Sequence, residues 1–205
     1  MQGLYLVTPN WDDTSRMLQL SEEAMKAAPI AMLQYRHKEA GPVLRHEQAS
    51  ALLALCRRHR VPFIVNDHVD LCTELDADGV HLGGTDAEVA QVRKRLGKGK
   101  IIGASCYGDM LRALNAQEAS ASYVAFGGFY PSRVKKYAVT TSPAILDQAR
   151  TVIQVPTVVI GGMTPQNAAP LVERGANMVA AISSVYQAES VAQAVGQFQS
   201  LFAGR

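Results

Sequence analysis

PFIVNDHVDLCTELDADGVHLGGTD, residues 62–86, contains two short apolar runs, each passing directly into polar and acidic residues. Phe63 to Val65 leads into Asn66-Asp67, and Val80 to Leu82 leads into Thr85-Asp86. A strand buried on both faces reads as an unbroken apolar stretch. With a helix opening near Val69 between them, the two runs form a strand-helix-strand unit whose strands are parallel and end on the same rim.

The pattern extends in both directions. Ala31 to Leu33 passes into Gln34-Tyr35-Arg36-His37-Lys38, and Tyr123 to Tyr130 is followed by Lys135-Lys136. Strand candidates fall at 3–8, 31–36, 62–67, 79–84, 100–105, 123–129, 156–161 and 177–183, separated by stretches of helical apolar spacing. Helices are clearest at Gln48 to Arg60, at Ala87 to Leu96, and at Pro165 to Arg174, the last opened by Thr164 as N-cap and closed by Gly175. Eight such units in sequence predict an α/β fold in which the parallel sheet closes into a (β/α)8 TIM barrel, one domain over residues 1–205. The chain is short for that fold, so most loops must be lean. The exception is Pro131 to Pro143, after the sixth strand, whose length and position predict a lid.

Composition limits the function. With 48% hydrophobic and 19% charged residues, the 205-residue chain has the make-up of an ordinary globular domain. Twenty basic against 18 acidic residues give a net charge of +2, too small to argue for nucleic acid or a membrane surface, though a polyanionic small molecule fits. Cys56, Cys72 and Cys106 form neither a CxxC nor a zinc spacing and read as reduced core thiols. Met1 leads straight into a strand, and no apolar run has the length of a membrane span, so a cytoplasmic location is expected. Apolar outer helix faces resemble core faces and leave a homodimer open.

The strand ends carry the chemistry. Asp67 and Asp86 end strands three and four, neighbours in a sequential barrel, and two carboxylates there suit Mg2+, which completes its octahedron with water and substrate phosphate. Either residue would serve equally as an N-cap, Asp67 for the helix near Val69 and Asp86 for the helix at Ala87. Gln34, Arg36 and Lys38 alternate along an extended segment and so share one side, a row of donors for a phosphate or diphosphate. A solvated strand end with Glu39 as ion-pair partner competes with that reading. Ile160-Gly161-Gly162-Met163-Thr164 and Ala181-Ile182-Ser183-Ser184 end strands seven and eight, where barrels commonly bind phosphate through backbone N–H groups, although a plain turn also uses two glycines. His81 reads as a wall residue, and Cys106, after Ser105, as a packed thiol without a base to activate it.

Together these blocks resemble the thiamine phosphate synthase family over nearly the whole chain. The matching segments are Gln34-Tyr35-Arg36-His37-Lys38, Ile64-Val65-Asn66-Asp67, Gly79-Val80-His81-Leu82-Gly83, Ile102-Gly103-Ala104-Ser105, Tyr130-Pro131-Ser132, Lys135, Ile160-Gly161-Gly162 and Ile182-Ser183. The resemblance implies an enzyme joining 4-amino-5-hydroxymethyl-2-methylpyrimidine diphosphate to 4-methyl-5-(2-phosphooxyethyl)thiazole, releasing pyrophosphate and thiamine phosphate. It implies Mg2+ on Asp67 and Asp86, and the diphosphate on Gln34, Arg36, Lys38, Asn66 and Lys135, with Ser105 nearby. It also implies the thiazole phosphate on Ser132, Gly162, Ile182 and Ser183. The implied reaction is dissociative, with Arg36 and Lys135 helping to neutralise the departing diphosphate.

Three positions depart from the family pattern: Gly84 where a Gln is usual, Ser132 for a Thr, and Val134 for a second hydroxyl residue. The related thiazole tautomerases would need a histidine at Gly128, and none is there. Arg36, Lys38, Asp67, Asp86 and Lys135, as ligands for metal and diphosphate, also favour the synthase over the tautomerases, and a noncatalytic phosphate-binding barrel is the alternative of a different class.

Overall fold

The structure, a computed structural model, describes residues 1–83, 86–131 and 141–204, with the side chains of Asp86 and Ala87 outside the description. Strands β1 (Gly3–Val7), β2 (Met32–Tyr35), β3 (Phe63–Asn66), β4 (Gly79–Leu82), β5 (Ile101–Tyr107), β6 (Tyr123–Gly127), β7 (Thr157–Ile160) and β8 (Met178–Ala181) pair in chain order as a closed parallel barrel. Closure comes from β8 lying beside β1, with Gly3 opposite Met178 and Tyr5 opposite Ala180. The crossover helices are α1 (Thr14–Ala27), α2 (Pro42–His59), α3 (Val69–Glu74), α4 (Asp86–Leu96), α5 (Met110–Glu118), α6 (Ala144–Val152) and α7 (Pro165–Glu173), followed after β8 by α8 (Ser183–Tyr186) and α9 (Val191–Ser200).

Strand alternation creates two separate apolar layers. Leu4 and Leu6 of β1, Val65 of β3 and Val124 of β6 point outward into the helices. Tyr5, Val7, Met32, Ile64, Tyr123 and Met178 point inward and fill the barrel. Because both faces are covered, most strand positions are apolar, which explains the near-continuous apolar runs in the sequence.

The helix ends follow their local chemistry. Asp13 accepts the N–H of Arg16 at 2.9 Å to start α1, and Thr164 and Asn167 form a reciprocal capping box at α7. Two expectations about element ends are corrected. The second helix begins at Pro42 rather than Gln48, because its first turn is open to water, with Val43 at 83% exposure, and so carries no apolar period. Strand eight stops at Ala181; Ile182 is the N-cap of α8 and Ser183 its first residue. Among the described residues no helix is long and apolar enough to cross a membrane. Most of the stretch expected to act as a lid, residues 132–140, lies outside the described residues.

Candidate active site

Inside the barrel, five polar side chains from five strands are linked in one chain. Gln34 Nε2 donates to Tyr5 Oη at 2.7 Å, Tyr5 Oη meets Tyr123 Oη at 2.7 Å, Tyr123 Oη meets His81 Nδ1 at 2.9 Å, and His81 Nε2 meets Ser105 Oγ at 2.9 Å. The chain runs from β2 to β5 and joins two residues expected at the site, Gln34 and Ser105. Burial pushes both phenols well above their usual range, so both remain neutral hydroxyls at physiological pH. The Tyr5 and Tyr123 rings meet edge to face at 5.7 Å between centroids, and His81 stacks on Tyr123 at the same spacing.

Glycine makes this arrangement possible. A Cβ on Gly103 would lie 2.0 Å from Cζ of Tyr123, so β5 must be bare at that point for the tyrosine to reach across. Sequence reasoning treated His81 as a wall residue and did not single out Tyr5 or Tyr123. The available signal was their inward parity on otherwise apolar strands, next to an inward glycine.

Above the chain lies the charged rim. Arg36, 8% exposed, follows β2 toward the opening, and Lys38 lies further out with its Nζ 3.7 Å from Asp67 Oδ2. Asn66 Nδ2 donates to the same Asp67 oxygen at 2.7 Å. A cavity of about 210 Å³ opens beside these groups, lined by Tyr35, His37, Lys38, Arg45, Asn66, Asp67 and His68. Burial, and then the Arg45 charge, hold the His68 imidazole below its ordinary range, and Lys38 and Arg45 supply the permanent positive charge of this wall.

Asp67 is not the helix cap that its position allowed. The N-cap of α3 is His68, with no side-chain capping bond, and Asp67 sits one residue earlier at φ 63°. That left-handed conformation, which Asp adopts more readily than most residues, turns its carboxylate away from the helix and toward β4, where Oδ1 approaches Gly83. The helix α4 has Asp86 itself as its first residue, where a helix beginning at Ala87 was expected. The side chain of Asp86 lies outside the described residues, as do Ser132, Lys135, Gly84 and Val134. Among the described residues no cluster of three or more His, Cys, Asp or Glu forms a complete metal cage. One carboxylate facing an open rim suits a hard cation that retains water and binds substrate oxygens.

The remaining rim belongs to β7 and β8. Gly161 and Gly162 have φ of 107° and 64°, and a Cβ on Gly162 would fall 2.2 Å from the Pro131 carbonyl oxygen. Both glycines are therefore required by the backbone, and the turn they make presents N–H groups instead of side chains. Asn167 Nδ2 donates to the Gly162 carbonyl at 2.9 Å and fixes this turn to the start of α7. Across from it, Ile182 and Ser183 form the entry to α8, where the hydroxyl of Ser184 is buried with no hydrogen-bond partner among the described residues. The cysteines are all buried, and burial pushes the thiols of Cys56 to about 12 and Cys72 to about 11, consistent with packing roles.

A family model described as thiamine monophosphate synthase matches residues 4–185. The chain belongs to the thiamine monophosphate synthase family. It is 58% identical over 203 residues to a protein named thiamine-phosphate synthase from Janthinobacterium sp. (strain Marseille), covering 99% of this chain and 98% of the relative. A thiamine-phosphate synthase from Xylella fastidiosa (strain 9a5c) is 45% identical, with 98% of this chain and 85% of the relative covered. Among solved structures, a thiamine phosphate pyrophosphorylase from Pyrococcus furiosus superposes with a TM-score of 0.83 at 28% identity, covering 98% and 95% of the two chains. Membership of the thiamine monophosphate synthase family thus accounts for the barrel and for the ordered blocks at its strand ends.

Proposed function

We propose that this chain is a thiamine-phosphate synthase, joining 4-amino-5-hydroxymethyl-2-methylpyrimidine diphosphate to 4-methyl-5-(2-phosphooxyethyl)thiazole, with thiamine phosphate and pyrophosphate as products. Support comes from family membership and from one local observation: Lys38, Asn66 and Asp67 converge on adjacent strand ends, above a buried polar chain that links Gln34 to Ser105. A cation, an amide donor and a carboxylate within reach of one another suit a diphosphate bound together with a divalent metal. A reader of phosphate alone would need no such carboxylate.

In this reading the C–O bond between the pyrimidine methylene and the diphosphate breaks first, and the electron pair leaves with the diphosphate. The thiazole nitrogen then donates its lone pair to the methylene cation and forms the new C–N bond. Arg36, Lys38 and Lys135 hold the diphosphate and take up its growing charge, with Gln34 and Asn66 as neutral donors and Ser105 at the far end of the chain. Asp67 and Asp86 would hold Mg2+, which when bound supplies further charge neutralisation. Gly162, Ile182, Ser183 and Ser132 would receive the thiazole phosphate, largely through backbone N–H and hydroxyl donors. No step needs a covalent nucleophile, in keeping with the burial of all three thiols. The partners are these two small molecules, in a cytoplasmic enzyme.

The test is a coupling assay with both substrates and Mg2+, repeated with EDTA. Thiamine phosphate should form in the first and not in the second. Absence of product in the first would overturn the activity, and metal-independent product would overturn the role of Asp67 and Asp86.

A further inference from the structure

The β1–β2 ladder ends in an unusual way, at the residues that carry the cations. Its last backbone pair is Val7 beside Gln34, and the Thr8 N–H still donates to the Gln34 carbonyl at 2.9 Å. In a regular parallel ladder the next bond would run from the Arg36 N–H to the carbonyl of Thr8. Here the Arg36 N–H donates instead to Thr8 Oγ1, at 2.8 Å, and the Thr8 side chain is fully buried. Two residues on, the Lys38 N–H donates to Asn10 Oδ1 at 3.4 Å, again using a side-chain oxygen where the ladder would use a carbonyl.

The residues between them are tied down in parallel. His37, pointing away from Arg36 and Lys38, places Nε2 2.9 Å from Asp12 Oδ1. Gln48 of α2 is wholly buried; its Nε2 donates to the Trp11 carbonyl at 2.9 Å, and its Oε1 accepts the Tyr35 hydroxyl at 3.0 Å. Residues 8–12 and 35–38 are therefore joined by side chains after the backbone ladder has ended. Through these side-chain oxygens the Arg36 and Lys38 N–H groups stay bonded beyond the last backbone pair of the ladder.

We infer that Thr8 and Asn10 are positioning residues for Arg36 and Lys38, holding the backbone of the cation-bearing segment in the geometry needed for the diphosphate. The inference rests on the proposed role of Arg36 and Lys38. Neither Thr8 nor Asn10 need touch substrate, and their effect should be confined to the charged half of the rim. A shift of about 1 Å in groups that orient a reacting centre can cost on the order of a hundredfold in rate.

The test compares Thr8→Val, which keeps shape and loses the acceptor, with Thr8→Ser, which keeps the acceptor, and with Asn10→Ala. Thr8→Val should lower turnover about tenfold to a hundredfold and leave KM for the thiazole phosphate within about twofold. Thr8→Ser should restore most of the rate. In a cycle with Arg36→Ala, the double variant should be about as slow as Arg36→Ala alone, since Thr8 would act through Arg36. Fully multiplicative losses would overturn the inference, as would a normal rate in both Thr8→Val and Asn10→Ala. Should Thr8→Val fail to fold, the same comparison with Asn10→Ala and Lys38→Ala decides the matter, because Asn10 lies in a surface loop. If Arg36→Ala and Lys38→Ala themselves left turnover intact, the proposed diphosphate role would fail, a result separable from failure of the positioning role.

Discussion

Gly103 and Tyr123 occupy the same space: the Cβ that any other residue would place on β5 lies 2.0 Å from the tyrosine's Cζ. Gly103→Ala should therefore displace the Tyr123 ring and break the polar chain at its centre. Overpacking of this kind costs about 1–3 kcal/mol, readable as a lower urea midpoint at constant slope, and turnover should fall with it. A variant with wild-type midpoint and rate would show that the ring has another place to go.

Asp67→Asn separates charge from backbone shape. Asn tolerates the left-handed conformation at φ 63° and matches the shape of Asp, so the fold should be retained. The ion pair with Lys38 is partly exposed and accounts for at most about 1 kcal/mol. Turnover should nevertheless drop on the order of a hundredfold, and the Mg2+ concentration giving half-maximal rate should rise. An unchanged metal requirement would remove Asp67 from the metal site.

Gly162→Ala meets both a left-handed backbone and the Pro131 carbonyl oxygen. The turn has to open, displacing its N–H groups. KM for the thiazole phosphate should rise on the order of ten- to a hundredfold, while pyrophosphate inhibition, which reports the opposite half of the rim, should hardly change. Equal weakening of both ligands would indicate general unfolding and not loss of one phosphate site.

Alkaline pH should destabilise the fold through its buried acids. Burial raises the Cys56 thiol from its ordinary 9.0 to about 12, the Cys72 thiol to about 11 and the Tyr35 phenol from 10.0 to about 12. Each group holds its proton more tightly when folded, so its stabilisation is complete below pH 9 and is lost as pH rises toward the folded values. The thermal midpoint should be level from pH 7 to 8.5 and should fall steadily between about pH 9 and 11. A flat profile through pH 11 would mean that these groups are reached by solvent.

The barrel was legible in the sequence because fully covered strands must be apolar on both faces, and residues such as Val65 and Ile64 satisfy opposite layers of one wall. The mixed charges at the rim were legible for the same reason: Gln34-Tyr35-Arg36 and Asn66-Asp67 follow at once on the apolar runs ending at Leu33 and Val65. Element ends were harder to read. The first turn of α2 has an exposed Val43, and the entry to α8 at Ile182 continues the apolar run of β8, so neither boundary carries a change of period. The internal chain through Tyr5, Tyr123 and His81 depends on which side chains meet across a closed barrel. Strand order provides that information, and spacing along the chain does not.

That chain also has a direction. With Gln34 Nε2 as donor to Tyr5, the buried Tyr5 proton has Tyr123 as its acceptor in the chain. With a neutral imidazole, Tyr123 then donates to His81 Nδ1 and the proton on His81 Nε2 is donated to Ser105 Oγ. Turning the Gln34 amide over would reverse every one of these bonds and make Ser105 a donor back into the barrel. The orientation of one amide on β2 is thereby conveyed to a hydroxyl on β5 without any movement of the backbone.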